Sequence, residues 1–434
     1  MSRAAKYDLW SREELILKLL EYEDSQLPNA TKKHESNDSA SVCSSISTTD
    51  SKKTKRNRQF DMSKYSQKYI ALKVAYLGWN YHGFAVQADE ETCPTVEGQI
   101  FKALLTAKLI TDPSSCKFSR CGRTDKGVSG LGQVIALKVR SNMPADKIED
   151  KDIVEENVES DGNDYKNEYV KIKDKNQPKE EIPYVDILNR LLPADIRILA
   201  WTSVPESFSA RFSCRGRRYR YFFLKSALNI ELMQSACKQF IGTHDFRNFC
   251  KINSSQDVTN YERTILDAKI SKASECDSDA GCGGDRVSPP YSDVDEFYVF
   301  EVRGTAFLWH QVRCMMGILF LIGQELESPS IIQSLFDIST IPSRPAYEMA
   351  SELPLILYGC EFNGLDWKYS PNTIDRLYHH MYQQFYGYFT KSMIASTILK
   401  SLGVGTIQHG IINGGGQELR KRKYVTLLNK DSER

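Results

Sequence analysis

Hydrophobic positions fall into short alternating runs separated by longer runs with helical spacing. "YIALKVAYLG" from Tyr69 alternates apolar and polar residues with the period of two that a half-buried strand requires. "TVEGQIFKALLTAKLI" then repeats at three and four positions, with Thr95 placed to cap a helix. "GQVIALKVRS" returns to alternation, and "VDILNRLL" to helical spacing. Strands are expected at "IRILAW" and "RRYRYFFLK", a helix over Asn229 to Phe240, and strands over Tyr261 to Ile270 and Glu296 to Val302. A helix over Ala306 to Ile322 and a shorter one near Ile331 complete the pattern. Strands and helices interleave in two similar halves, which predicts a mixed α/β (α+β) fold.

The flanks read differently. "SREELILKLLEYE" carries a capping box, Ser11 with Glu14, and one apolar face, so residues 1–24 are expected to form an amphipathic helix. Residues 25–64 are polar and are expected to be a disordered linker ending in the basic run "KKTKRNR", Lys52 to Arg58. That run is either a solvated linker or a nuclear address or RNA-touching arm. The folded body is expected over 65–205 and 206–365, with a flexible charged insert at 145–181, followed by an extension over 366–434. That extension, aromatic and then basic, fits neither half.

Composition narrows the class. A chain of 434 residues with 41% hydrophobic residues can build a large core, and a net charge of +1 says nothing of partners until local patches are read. Eleven Cys without a signal-peptide pattern predict a reducing compartment, cytoplasm or nucleus. The apolar segment Gly304 to Gly323 contains His310, Gln311 and Arg313 and barely reaches a bilayer's thickness, so no membrane association is expected. There is no P-loop, no G-x-G-x-x-G after a strand, no G-x-S-x-G and no H-E-x-x-H, so no cofactor is expected. Cys116 and Cys121, like Cys276 and Cys282, lack zinc-type spacing, so no metal is expected either.

Three features could carry chemistry. In "SRCGRTDKGVSG" one carboxylate, Asp125, sits among Arg120, Arg123 and Lys126 on a loop hinged by glycines. It is either a solvated turn or a carboxylate held ionised, and nearby cations would lower its pKa by about 1–3 units. In "CRGRRYRYFF" strand alternation puts Tyr219 and Tyr221 on one face and Arg218 and Arg220 on the other. Such faces suit stacked bases and phosphates, and equally suit a core tyrosine row beside solvated arginines. Arg313 is the one formal charge between Gly304 and Gly323 and must reach water or an anion, for which Asp125 is a candidate.

"GRTDKGVSG", "ARFSCRGRRYRYFF" and "GTAFLWHQVRCMMG", in this order, resemble the motifs of the TruA-type tRNA pseudouridine synthases. "VAYLGWNYHGFAVQ" and "GTHDFRNFCK" are similar to two further shared segments, and the resemblance covers roughly Tyr69 to Phe362. Lys126 and Ser129 depart from the Ala and His usual in bacterial members, and "CGRTDKGVS" resembles the eukaryotic branch acting at tRNA positions 38 and 39. The resemblance implies two ferredoxin-like halves with the active cleft between them, an isomerase needing no cofactor, tRNA as substrate and a homodimer. It implies Asp125 as nucleophile, Arg123 as the side chain displacing the target uridine, Tyr219 as the ring against the base, and Arg313 as the ion-pair partner of Asp125. Two rivals are a tRNA-folding chaperone on the same fold and a synthase for another tRNA position. A nucleoside glycosidase would want a second carboxylate beside Asp125.

Overall fold

The computed structural model describes residues 60–143, 180–251, 259–275, 297–402, 411–414, 418–419 and 424–430. The expected N-terminal helix, the run Lys52 to Arg58, nearly all of the insert, Cys276, Cys282 and the basic residues 420–423 lie outside the described residues.

The first half contains β1 (Ser66–Tyr76), α1 (Val96–Thr106), β2 (Ser119–Arg120), β3 (Ser129–Ser141), α2 (Tyr184–Leu191) and β4 (Ile196–Ser203). The second contains β5 (Gly216–Leu224), α3 (Ile230–Cys237), β6 (Gly242–Asp245), β7 (Glu262–Lys272), β8 (Phe297–Gly304), α4 (Gln311–Gly323), α5 (Ile331–Phe336) and β9 (Leu355–Glu361). All nine strands form one mixed sheet in the order β4-β1-β3-β9-β5-β8-β7-β6, with β2 also on β3. Each half therefore repeats one ferredoxin-like arrangement, β4-β1-β3-β2 and then β9-β5-β8-β7, the latter extended by β6. The halves join where β3 pairs in parallel with β9, at Ser129 with Ile356 and Gly130 with Leu357.

Local chemistry explains the elements. The Thr95 hydroxyl accepts the Gly98 N–H at 3.1 Å and starts α1, and the Asn229 side chain accepts the Leu232 N–H at 3.2 Å and starts α3. Ile70, Leu72 and Val74 of β1 pack with α1 and α2, while Tyr69 and Ala71 form a smaller cluster with Val204 and Ala210 on the opposite face. Every residue of α4 is buried, which is why the segment is apolar all round. No helix among the described residues is long and apolar enough to cross a membrane. The helix starts later than its composition suggests. His310 has φ 61° and cannot be helical, so α4 begins at Gln311, whose side-chain oxygen accepts the Leu308 N–H at 2.7 Å.

The region after β9 takes a form not foreseen. The helix α6 (Pro371–Ser401) lies along the first half, where the Thr373 hydroxyl bonds Asp186 at 2.9 Å and Tyr388 meets Trp79 edge-on at 5.2 Å. The chain then makes the short hairpin of β10 (Ile411–Ile412) with β11 (Glu418–Leu419) and returns to the second half. There the Tyr221 hydroxyl donates to the Asn413 carbonyl at 3.2 Å and Tyr424 donates to Glu327 at 2.6 Å.

Candidate active site

The loop carrying Asp125 runs from β2 to β3 and so ends at the parallel junction between the halves. Its backbone is fixed against "YLGWNYHGF". The Thr124 carbonyl accepts the Phe84 N–H at 3.1 Å, and Gly127 donates to the Tyr81 carbonyl at 3.2 Å. The Thr124 and Tyr76 hydroxyls bond at 2.9 Å, and the Gln133 amide holds the Gly122 carbonyl at 2.7 Å. Gly127 turns the loop with φ +80°. A Cβ on Gly78 would stand 2.0 Å from the Val128 carbonyl oxygen, so only glycine lets the two segments touch.

Asp125 opens into a cleft of about 740 Å³. Seven of the residues lining it are Arg or Lys, and Asp125 is the one acid among them. Tyr219 of β5 lines the same cleft, its ring edge-on to Phe307 at 5.1 Å. The first half thus supplies the carboxylate and the second supplies the aromatic floor.

Burial sets the charge state of Asp125. Desolvation pushes its pKa from 3.8 up to about 6, against the positive charge of Arg313 and a Trp309 indole N–H donated at 3.1 Å; the charge of Glu352 pushes it further up. The expectation that neighbouring cations would hold this pKa low is corrected. Arg120 is engaged by Glu97, Arg123 and Lys126 are exposed so that water screens their charges, and burial outweighs them. His310 lies 3.6 Å from the second carboxylate oxygen, too far for a hydrogen bond. Burial, then the charges of Arg313, Lys251 and Arg344, lower its pKa to about 4, so it is neutral at pH 7 and no ion pair forms.

Arg313 also differs from expectation. It is 8% exposed, and its guanidinium donates to the Ala350 carbonyl at 2.8 Å and to Glu352 at 2.7 Å. Asp125 feels its charge without bonding it. The reason is local. The segment Ala350–Glu352 covers α4 and presents a carbonyl and a carboxylate within reach, while Glu352 packs against Gly127 of the Asp125 loop. Arg313 therefore supports the loop from behind.

On β5 the alternation holds, but Arg218 and Arg220 are turned to acids of the neighbouring strands. Arg220 is buried in an ion pair with Glu301 at 2.5 Å and lies over the Tyr358 ring, and Arg218 is 3.8 Å from Glu361. The cations open to a ligand lie elsewhere. Arg123, Arg211 and Lys251 line the cleft without an ion pair among the described residues. Phe212, 81% exposed beneath the Arg211 guanidinium, and Trp309, 43% exposed, offer rings beside them.

A cationic cleft with exposed rings and one desolvated carboxylate suits a single-stranded or flipped nucleotide. A tRNA pseudouridine synthase family model matches residues 236–363, in the second half. A tRNA pseudouridine(38/39) synthase of Saccharomyces cerevisiae is 44% identical over 366 residues, spanning 83% of this chain and 73% of that one. The chain belongs to the tRNA pseudouridine synthase family.

The yeast match extends the assignment beyond the region the family model covers. The human tRNA pseudouridine(38/39) synthase is 42% identical to this synthase over 357 residues, 82% of this chain and 68% of that one. A tRNA pseudouridine synthase A of Methanothermobacter thermautotrophicus is 32% identical over 269 residues, 62% of this chain and 73% of that one. Sequence reasoning about the synthase passed over Trp309, His310, Phe212 and Arg211, although all four lie inside motifs already quoted. Trp309 and Phe212 are exposed rings, His310 has a left-handed backbone and Arg211 is an exposed cation of the cleft, which only folding reveals. Glu352 gave no signal at all.

Proposed function

We propose that this synthase isomerises uridine to pseudouridine at positions 38 and 39 of the tRNA anticodon arm, the positions that name its yeast and human relatives. The observation that carries the reading is Asp125, the one carboxylate in a cleft otherwise lined by seven cations. The target uridine leaves its stack at a cost of a few kcal/mol. Stacking on Tyr219 offsets about 1–3 kcal/mol of it, and Arg123, which has no ion pair among the described residues, takes the place of the displaced base. At pH 7 a carboxyl group with a pKa near 6 is about nine-tenths ionised, and poor solvation leaves that anion reactive. The N1–C1′ bond breaks, the uracil turns, and C5 joins C1′; C5 loses a proton and N1 gains one. Asp125 serves as the catalytic nucleophile or base. Burial holds Tyr219 well above the ordinary phenol pKa, so it acts as an uncharged ring and not as a phenolate base.

Incubation with tRNA tritiated at uracil C5 tests this reading. Wild type is expected to release tritium from positions 38 and 39, and Asp125→Asn to release none while still binding tRNA. Release by Asp125→Asn overturns the mechanism, and binding without release by wild type favours a tRNA chaperone. A homodimer is supported by the exposed Met393, Ile394, Ile398 and Leu399 of α6, and Ile398→Glu should then lower the sedimenting mass. Residence in both cytoplasm and nucleus is supported by the run Lys52 to Arg58, and neutralising that run should empty the nucleus of a tagged chain.

A further inference from the structure

Three thiols far apart in sequence meet beside the catalytic loop. Cys121 opens that loop, Cys214 lies two residues before β5, and Cys360 lies on β9. Their sulfur atoms lie within 4.8 Å of one another, and all three are free thiols. Spacing rules look for ligand pairs two to four residues apart and are blind to such a set. We infer that Cys121, Cys214 and Cys360 form a site for a thiophilic divalent cation, Zn²⁺, with its fourth coordination position open.

The geometry supports a metal. Zn–S bonds of about 2.3 Å in a tetrahedron place the sulfurs about 3.8 Å apart, so the present spread needs a contraction of at most about 1 Å. Side-chain rotations supply that, because Cys214 and Cys360 are only partly buried while Cys121 is fixed. The backbone of Cys121 is held by its N–H to the Val134 carbonyl at 2.8 Å. Charge fits as well. Three thiolates and Zn²⁺ sum to one negative charge, and Arg217 sits against the cluster. Its guanidinium donates to the Cys121 carbonyl at 2.9 Å, the Arg211 carbonyl at 3.1 Å and the Thr305 carbonyl at 2.7 Å. Cross-strand pairing sets Arg217 opposite Cys360. One cation thus faces all three ligand segments. The bound metal would tie the loop four residues before Asp125 to β9, across the junction of the halves.

The test reads metal and not turnover, so it stands apart from the proposed isomerisation. Full-length protein purified without chelator is expected to hold about one zinc per chain by plasma mass spectrometry. Cys214→Ser/Cys360→Ser should drop at least tenfold, and Cys93→Ser should not change. Because a variant can fail for reasons of folding, wild-type apoprotein is also titrated with Co²⁺. A sulfur-to-cobalt charge-transfer band that zinc bleaches supports the site. Wild type without zinc that gives no such band overturns it, as does zinc retained by the double variant. A Cys121–Cys214 disulfide in freshly isolated protein, shown by intact mass after alkylation, overturns it as well.

Discussion

Asp125 shows how one carboxylate's environment can be misjudged from its neighbours in sequence. Three cations flank it in the chain, yet Arg120 is engaged by Glu97, Arg123 and Lys126 are exposed to water, and the carboxyl is desolvated, so desolvation outweighs attraction. Its folded pKa lies above the unfolded value, which means the native state binds the extra proton between about pH 4 and pH 6. Stability therefore falls as pH rises through that window, and the ionised group is a burden on the fold at neutral pH. Asp125→Asn should raise stability at pH 7.5 by about 1–3 kcal/mol, and the gain should vanish near pH 4, as urea midpoints at the two pH values would show. The same pKa sets the activity profile, which should rise through about pH 6 and then level. Trp309→Phe removes the indole donor that favours the anion. Its inflection should move up, with turnover about 3–10-fold below wild type at pH 6 and close to it at pH 8, checked by single-turnover tritium release.

The loop from β2 to β3 works because other elements fix it by backbone contact. Gly78 touches Val128 so closely that a methyl group would stand 2.0 Å from its carbonyl oxygen. Gly78→Ala should push the loop outward by about 1 Å and lower turnover about 10²-fold, while tRNA binding changes little. A filter-binding assay beside the kinetics separates the two effects. The helix α4 plays a comparable part from the other half. Arg313 reaches from it to Ala350 and Glu352, and Glu352 leans on Gly127, so the guanidinium supports the loop at one remove.

At the scale of the whole molecule, the site exists only because two similar halves share a sheet. Asp125 comes from one and Tyr219 from the other, and the parallel pairing of β3 with β9 sets their separation. Gly132 lies at that crossing, where an added Cβ would be 2.8 Å from the Gly359 Cα and 2.9 Å from the Tyr358 oxygen. Gly132→Ala should destabilise the fold by about 1–3 kcal/mol and impair turnover, whereas Gly359→Ala has open space and should do neither. Thermal unfolding and tritium release on the pair check both statements. By itself the sequence determined the strands and helices whose periodicity is local, from the run at Tyr69 to the capped helix at Thr95, and it marked the motifs around Asp125, Tyr219 and Arg313. Those signals arise within a turn or a strand, from side chains that meet their own neighbours. Only the tertiary structure decided β9 and α6, whose short or mixed apolar pattern takes meaning from what it packs against. It alone also decided that Glu352 holds Arg313, that Asp125 is set by burial, and that three distant cysteines converge, because charge state and contact depend on which surfaces lose water together.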